Sequence, residues 1–137
     1  VYLDRFLNMP SARLPKADQV PYNEKDILLI LSSLLDRQQQ VDEAGAAVAA
    51  YLYHGGDLQR LMAALGSLML REDRDFHTIQ AVEAVFRQTQ WLSDEGEIAH
   101  MMIAAARYLA AHAPTVRAQG QTFRIAQRLH KGEELFT

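Results

Sequence analysis

The sequence predicts an all-α protein, about six amphipathic helices packed as successive antiparallel hairpins. Three observations carry that reading. Apolar residues recur at three- and four-residue intervals through most of the chain, and no stretch shows the period-two alternation of a half-buried strand. Capping and stop residues stand at the ends of those intervals. The connections between them are short, which makes consecutive helices antiparallel neighbours.

Residues 1–22 read as an extended arm. Pro10, Pro15 and Pro21 interrupt any helix and push the residue before each toward extended backbone. Tyr2, Phe6, Leu7 and Met9 give the arm something to bury, so it is expected to pack along the body through Phe6 and Leu7. Residues 23–137 then form a single helical domain. Its first helix starts at Asn23, a favourable N-cap, with Glu24 and Asp26 in the electropositive first turn. Ile27, Ile30, Leu31, Leu34 and Leu35 make its apolar stripe, and the polar run 36–40 closes it. The second helix, 41–54, is rich in small residues: Ala44, Gly45, Ala46, Ala47, Ala49 and Ala50. Small side chains let a neighbour approach closely, which places this helix in the middle of the bundle. Gly55-Gly56 supplies a C-cap, one of the two with positive φ, and Asp57 caps the next helix.

The third helix carries Leu58, Leu61, Met62, Leu65, Leu68 and Met69, and ends in Arg71-Glu72-Asp73-Arg74-Asp75. Asp75 caps a fourth, from Phe76 to about Leu92, whose buried side is expected to be Phe76, Ile79, Val82 and Phe86. Ser93 caps a fifth, running to His112. Its stripe of Ile98, Met102, Ala105 and Leu109 would bring His112 inward. Ala113-Pro114-Thr115 breaks the chain. A sixth helix ends near His130, with Gly132 as its C′ residue. A helical repeat is the lesser alternative: His54, His77 and His100 are evenly spaced, but their surroundings differ.

Composition narrows the function. The chain has 137 residues, 49% hydrophobic and 23% charged, the balance of a globular domain. Its net charge of -3 gives no field to attract phosphate polymers, so nucleic acid is not an expected partner. The absence of cysteine excludes disulfides, zinc-thiolate sites, thiolate-ligated iron–sulfur clusters and cysteine nucleophiles. No apolar run approaches the roughly 18 to 20 residues that cross a bilayer. With no basic-then-apolar leader pattern either, the expectation is a cytoplasmic protein without a membrane role. The chain begins at Val1 rather than Met and is read as part of something longer.

Polar chemistry gathers on the fourth helix. His77, Gln80 and Glu83 follow at three-residue spacing and share one slowly turning ridge. Glu83, beside Ile79 and Phe86, is expected to be buried, and a buried carboxylate needs a histidine, an arginine or a metal. Arg107 is the arginine at the right height. Alternating helix direction brings Glu72, Asp73, Asp75, His77 and His112 to one end of the bundle; His54, Asp57, His100 and His130 fall at the other. The sharp reading is a metal site of Glu72, His77, Glu83 and His112, a carboxylate and imidazole set that suits Fe, Mn or Zn. No Glu-x-x-His pair and no His-Glu-x-x-His motif supports it. The plainer alternative is that Asp73 and Asp75 cap a helix while His77 hydrogen-bonds a carboxylate.

Other templates fit less well. Gly55-Gly56-Asp57 lacks phosphate-loop spacing and follows a helix, and no serine lies in a nucleophile elbow. Met62, Met69, Met101 and Met102 sit on apolar stripes and read as packing.

Four stretches belong together: Tyr53-His54-Gly55-Gly56-Asp57; Arg71 to Glu83 through Asp73, Asp75, His77 and Gln80; Ala106-Arg107-Tyr108 to Thr115; and Gln121 to Glu133. They resemble a helical region of bacterial Rieske-type proteins, over most of residues 40–135. The resemblance implies a companion domain bearing a [2Fe–2S] cluster. Its ligands would be cysteine and histidine, so without cysteine no cluster carries over to this chain. What it implies here is a helical partner or substrate-binding module of a larger redox protein, with His54, Asp57, Asp73, Gln80 and Arg107 among its polar motif residues. Two functions therefore stand as expectations. The first is a helical binding module without catalysis of its own, acting on a protein partner or by self-association. The second is a metal- or small-molecule-binding oxidoreductase module at the carboxylate and histidine end.

Overall fold

Small residues decide which helices meet at the centre. The computed structural model describes residues 13–16, 23–71, 74–113 and 121–133. Among them run six helices: α1 (Glu24–Leu35), α2 (Val41–Tyr53), α3 (Leu58–Leu70), α4 (Phe76–Thr89), α5 (Glu95–Ala111) and α6 (Gln121–His130). On α2 every residue from Ala44 to Tyr51 is buried. A helix covered on all sides is a core helix, as its alanines and Gly45 predict. Its main partner is α5, which buries Ala99, Met102, Ile103, Ala105, Ala106, Leu109 and Ala110. Against this pair, α1 packs on α2 and α4 packs on α5, while α3 touches α1, α4 and α5 more lightly.

The six-helix bundle agrees with the sequence, but its centre is not a chain-neighbour hairpin. The closest pair, α2 with α5, joins helices separated by two others, and α2 with α3 is not among the well-packed pairs. The flanking helices contribute large aliphatics to one core: Ile27, Leu31, Leu34 and Leu35 from α1, and Leu61, Leu65, Leu68 and Met69 from α3. Tyr51 is its largest fully buried side chain; its hydroxyl donates to the Asp57 carbonyl at 3.1 Å, so no polar atom is stranded there. Every side chain from Arg124 to His130 on α6 is exposed.

Helix ends mostly follow the capping residues. Asp57 accepts from the Arg60 amide at 2.7 Å and Asp75 from the Thr78 amide at 2.7 Å. Two ends differ from expectation. Asn23 precedes α1, but its side-chain amide donates to Asp26 at 2.6 Å instead of capping. The fifth helix is capped by Asp94, which accepts from the Glu97 amide at 2.8 Å, and not by Ser93. A carboxylate one residue later is the stronger acceptor for the electropositive turn. The fourth helix stops at Thr89, short of Leu92.

The face of α4 also differs. Phe76 is 61% exposed and Ile79 42%, while Thr78, Val82 and Thr89 are buried. The helix turns its threonines inward because both are satisfied locally. Thr89 donates to the Val85 carbonyl at 2.6 Å, and Thr78 bonds Asp75 through its amide and hydroxyl. Once the hydroxyls cost nothing to bury, the stripe 78–82–85–89 competes with the purely apolar one.

Both glycines after α2 are required, for different reasons. Gly55 has φ +82, and the amides of Gly55 and Gly56 bond the carbonyls of Leu52 (3.0 Å) and Tyr51 (2.8 Å), a complete Schellman closure. Gly56 needs room instead: a Cβ there would lie 2.4 Å from Tyr51 Cε1. Gly55→Ala is expected to cost about 1 kcal/mol in denaturant unfolding, through the left-handed backbone. Gly56→Ala should cost at least as much, because buried Tyr51 must move. Wild-type stability in either variant would contradict the assignment.

Candidate functional site

Three arginines draw the helix ends together at one pole of the bundle. Arg71, closing α3, pairs with Asp36 and donates to Ser32 Oγ at 3.1 Å. Arg107 on α5 pairs with Asp42 at the start of α2, 2.6 Å away. Arg74, just before α4, donates to the carbonyl of His112 at the end of α5. The start of α4 thus stands beside the end of α5, as the sequence reading expects.

Asp75, His77 and His112 meet at this pole. The Asp75 carboxyl is held below its ordinary pKa, chiefly by the Thr78 amide and then by the Thr78 hydroxyl. Desolvation opposes the shift, and the nearby charges of His77 and His112 add to it. His112 does not face inward. It is exposed, its ring stacks on Tyr108 at 4.2 Å, and its Nδ1 lies 2.9 Å from the Tyr108 carbonyl. An imidazole in the last turn can bind its own helix's free carbonyls, and this holds the ring over the helix end. His54 makes the same contact at the end of α2, Nδ1 to the Ala50 carbonyl at 2.7 Å. His77 is exposed with its ring 4.5 Å from that of Phe76.

Glu83 is not the buried carboxylate that the sequence suggests. Its side chain is 56% exposed and pairs with Arg87 one turn along the same helix, at 2.6 Å. The inward rotation of Thr78 and Val82 carries Glu83 and Gln80 to the outside, and Arg107 is engaged by Asp42 instead. Among the described residues no three of His, Asp or Glu converge as a metal-binding group. Glu72 and Asp73 lie outside the described residues. The arm residues Phe6 and Leu7 lie outside them as well.

A concave surface runs along the outer face of α5. His100, Ala104, Tyr108 and Ala111 share that face by helical spacing. On one side they form a shallow apolar trough of about 450 Å³ with Val41, Ile103, Arg107 and Leu14. On the other, Ala104 and Tyr108 line a smaller cleft with Ala81, Val82 and Val85 of α4. Toward the start of α5 the surface continues past His100 to Met101, Leu92 and Glu97. These concavities are separate and share His100, Ala104 and Tyr108 as walls; the trough is the groove that follows α5, from His100 to Ala111, about 16 Å at helical rise. Sequence reading missed it by assigning α5 a single stripe. The signal was the near-continuous apolar run from Met101 to Ala106 and from Tyr108 to Ala111, too broad for one buried face. A separate concavity lies by the turn after α2, lined by Leu52, Gly55, Gly56, Leu58, Glu95 and Ile98.

No family model, curated protein or solved structure matches this chain. The site must be read from its own geometry.

Two substitutions on α4 separate its roles. Glu83→Ala should change unfolding stability by no more than about 0.5 kcal/mol, as expected for an exposed i,i+4 pair. Asp75→Ala should lower the melting temperature at pH 7 by removing the cap. A carboxyl with depressed pKa stabilises above its unfolded value, and the contribution fades as pH falls through the folded value. The gap between Asp75→Ala and wild type should therefore narrow below about pH 3.9. A gap that stays constant into acid, or a large loss in Glu83→Ala, would contradict these roles.

Proposed function

We propose that this chain is a helical binding module, working through protein contacts and not through catalysis of its own. The groove along α5 carries the reading. The trough is apolar, follows α5 for about three turns from His100 to Ala111, and has Ala104 and Ala111 in its lining, which leave space for the side chains of another segment. Its charged wall is Arg107, already paired with the exposed carboxylate of Asp42. An apolar segment complements that surface. The titratable side chains described above support the same reading, because they serve structure. Asp57, Asp75 and Asp94 cap helices, and Arg71 and Arg107 tie helix ends. A role beside a larger redox protein is compatible with such a module.

Selection of displayed peptides against the folded chain tests the proposal. Recovered peptides should be rich in apolar residues. Ala104→Arg, a change at an exposed position, should weaken their binding by at least about tenfold, or 1.4 kcal/mol, while leaving the melting temperature near wild type. Peptides that bind Ala104→Arg as tightly as wild type would overturn the assignment of the groove.

A further inference from the structure

We propose that the concavity beside the turn after α2 is a second site, independent of the α5 trough, for a small organic cation: an amine carrying an apolar group. The cavity has a volume of about 340 Å³, within the range of pockets that hold small molecules. Its apolar walls come from three helices: Leu52 near the end of α2, Leu58 at the start of α3 and Ile98 near the start of α5. All three side chains are half-buried, packed against the core on one side and lining the cavity on the other. An apolar group seated among them leaves water. Hydrogen bonds hold the rim in place. The Schellman closure fixes Gly55 and Gly56, the Tyr51 ring lies against Gly56, and the Tyr51 hydroxyl donates to the Asp57 carbonyl. A site formed before its ligand arrives loses little ordering entropy on binding.

The polar groups of the lining select the sign of the ligand. Gly55 and Gly56 give their amides to the carbonyls of Leu52 and Tyr51, so they offer a ligand only carbonyl oxygens. Glu95 is the titratable side chain in the lining, and its carboxylate has no hydrogen bond or ion pair among the described residues. No arginine or lysine among those residues lines the cavity to neutralise it. Carbonyls and carboxylates accept and do not donate, and the end of α2 brings the negative pole of its dipole to the same rim. The starts of α3 and α5 also border the cavity, but Asp57 and Asp94 cap them and offset their positive poles. The complementary group is therefore a positively charged donor, an ammonium, with its apolar part against Leu52, Leu58 and Ile98.

Phenethylamine, an aromatic ring on a short ammonium arm, is the probe. Titrated into the isotope-labelled full chain, it should shift the amide signals of Gly55, Gly56, Leu58 and Ile98 in one saturable series. Those of Ala104 to Ala111 should stay in place. Phenethyl alcohol, the same shape without the charge, and hydrocinnamate, with the opposite charge, should bind at least about tenfold more weakly. Methylamine, an ammonium without the apolar group, should also bind more weakly. Glu95→Gln, at an exposed position, should weaken phenethylamine at least about tenfold while keeping the melting temperature near wild type. Equal affinity for the alcohol, or Glu95→Gln binding phenethylamine as wild type does, would overturn the proposal. Shifts confined to the α5 trough, or none at the turn after α2, would overturn it as well.

Discussion

The close approach of α2 and α5 is the constraint on which the remaining structure depends. Two helices can meet along their length only where their surfaces are low, and α2 offers alanines and Gly45 for this purpose. At Gly45 the tolerance is smallest. The Arg107 side chain crosses over it, and a Cβ there would stand 2.8 Å from Arg107 Nε. Buried Nε has no hydrogen-bond partner among the described residues, so the position of this arginine is set by packing and by its pair with Asp42. Around that crossing, Val48, Tyr51, Met102, Ile103 and Leu109 are almost wholly removed from water, at roughly 25 cal/mol for each Å² of apolar surface.

The same economy of side chains on α5 produces the groove. Its inner alanines admit α2, and its outer residues Ala104 and Ala111 leave a depression where a bulkier helix surface would stand proud. Core geometry and the surface of the proposed function therefore come from one compositional choice. The polar residues have a different task. At the crowded pole, arginines bridge α3 to α1 and α5 to α2, and Asp75 fixes the first turn of α4. Their hydrogen bonds and ion pairs hold helix ends. This is why the proposed function rests on the apolar surface and not on the histidines and carboxylates.

Much of this was legible in the residues. The six helices, the central position of α2, the caps at Asp57 and Asp75 and the left-handed Gly55 follow from small-residue runs, capping chemistry and glycine spacing. The face of α4 was not, because periodicity counts Thr78 and Thr89 as polar while the fold satisfies both hydroxyls locally and buries them. That one rotation exposed Phe76, Ile79 and Glu83 and removed the buried carboxylate from the candidate site. His112 misled for a related reason: a stripe extrapolated past the last turn ignores the pull of free carbonyls on a terminal imidazole. Helix pairing was also beyond the pattern, since short loops favour chain neighbours and say nothing of a tighter contact between α2 and α5.

Native-state hydrogen exchange, read residue by residue, tests most directly whether the α2 and α5 contact is the foundation of the fold. The slowest amides should be those of Val48 to Tyr51 and of Ile103 to Ala110, exchanging only through global unfolding, with α3 and α4 opening at lower free energy. If the slowest amides lie in α3 or α4 while α2 or α5 exchanges through local opening, the central pair does not hold the structure together.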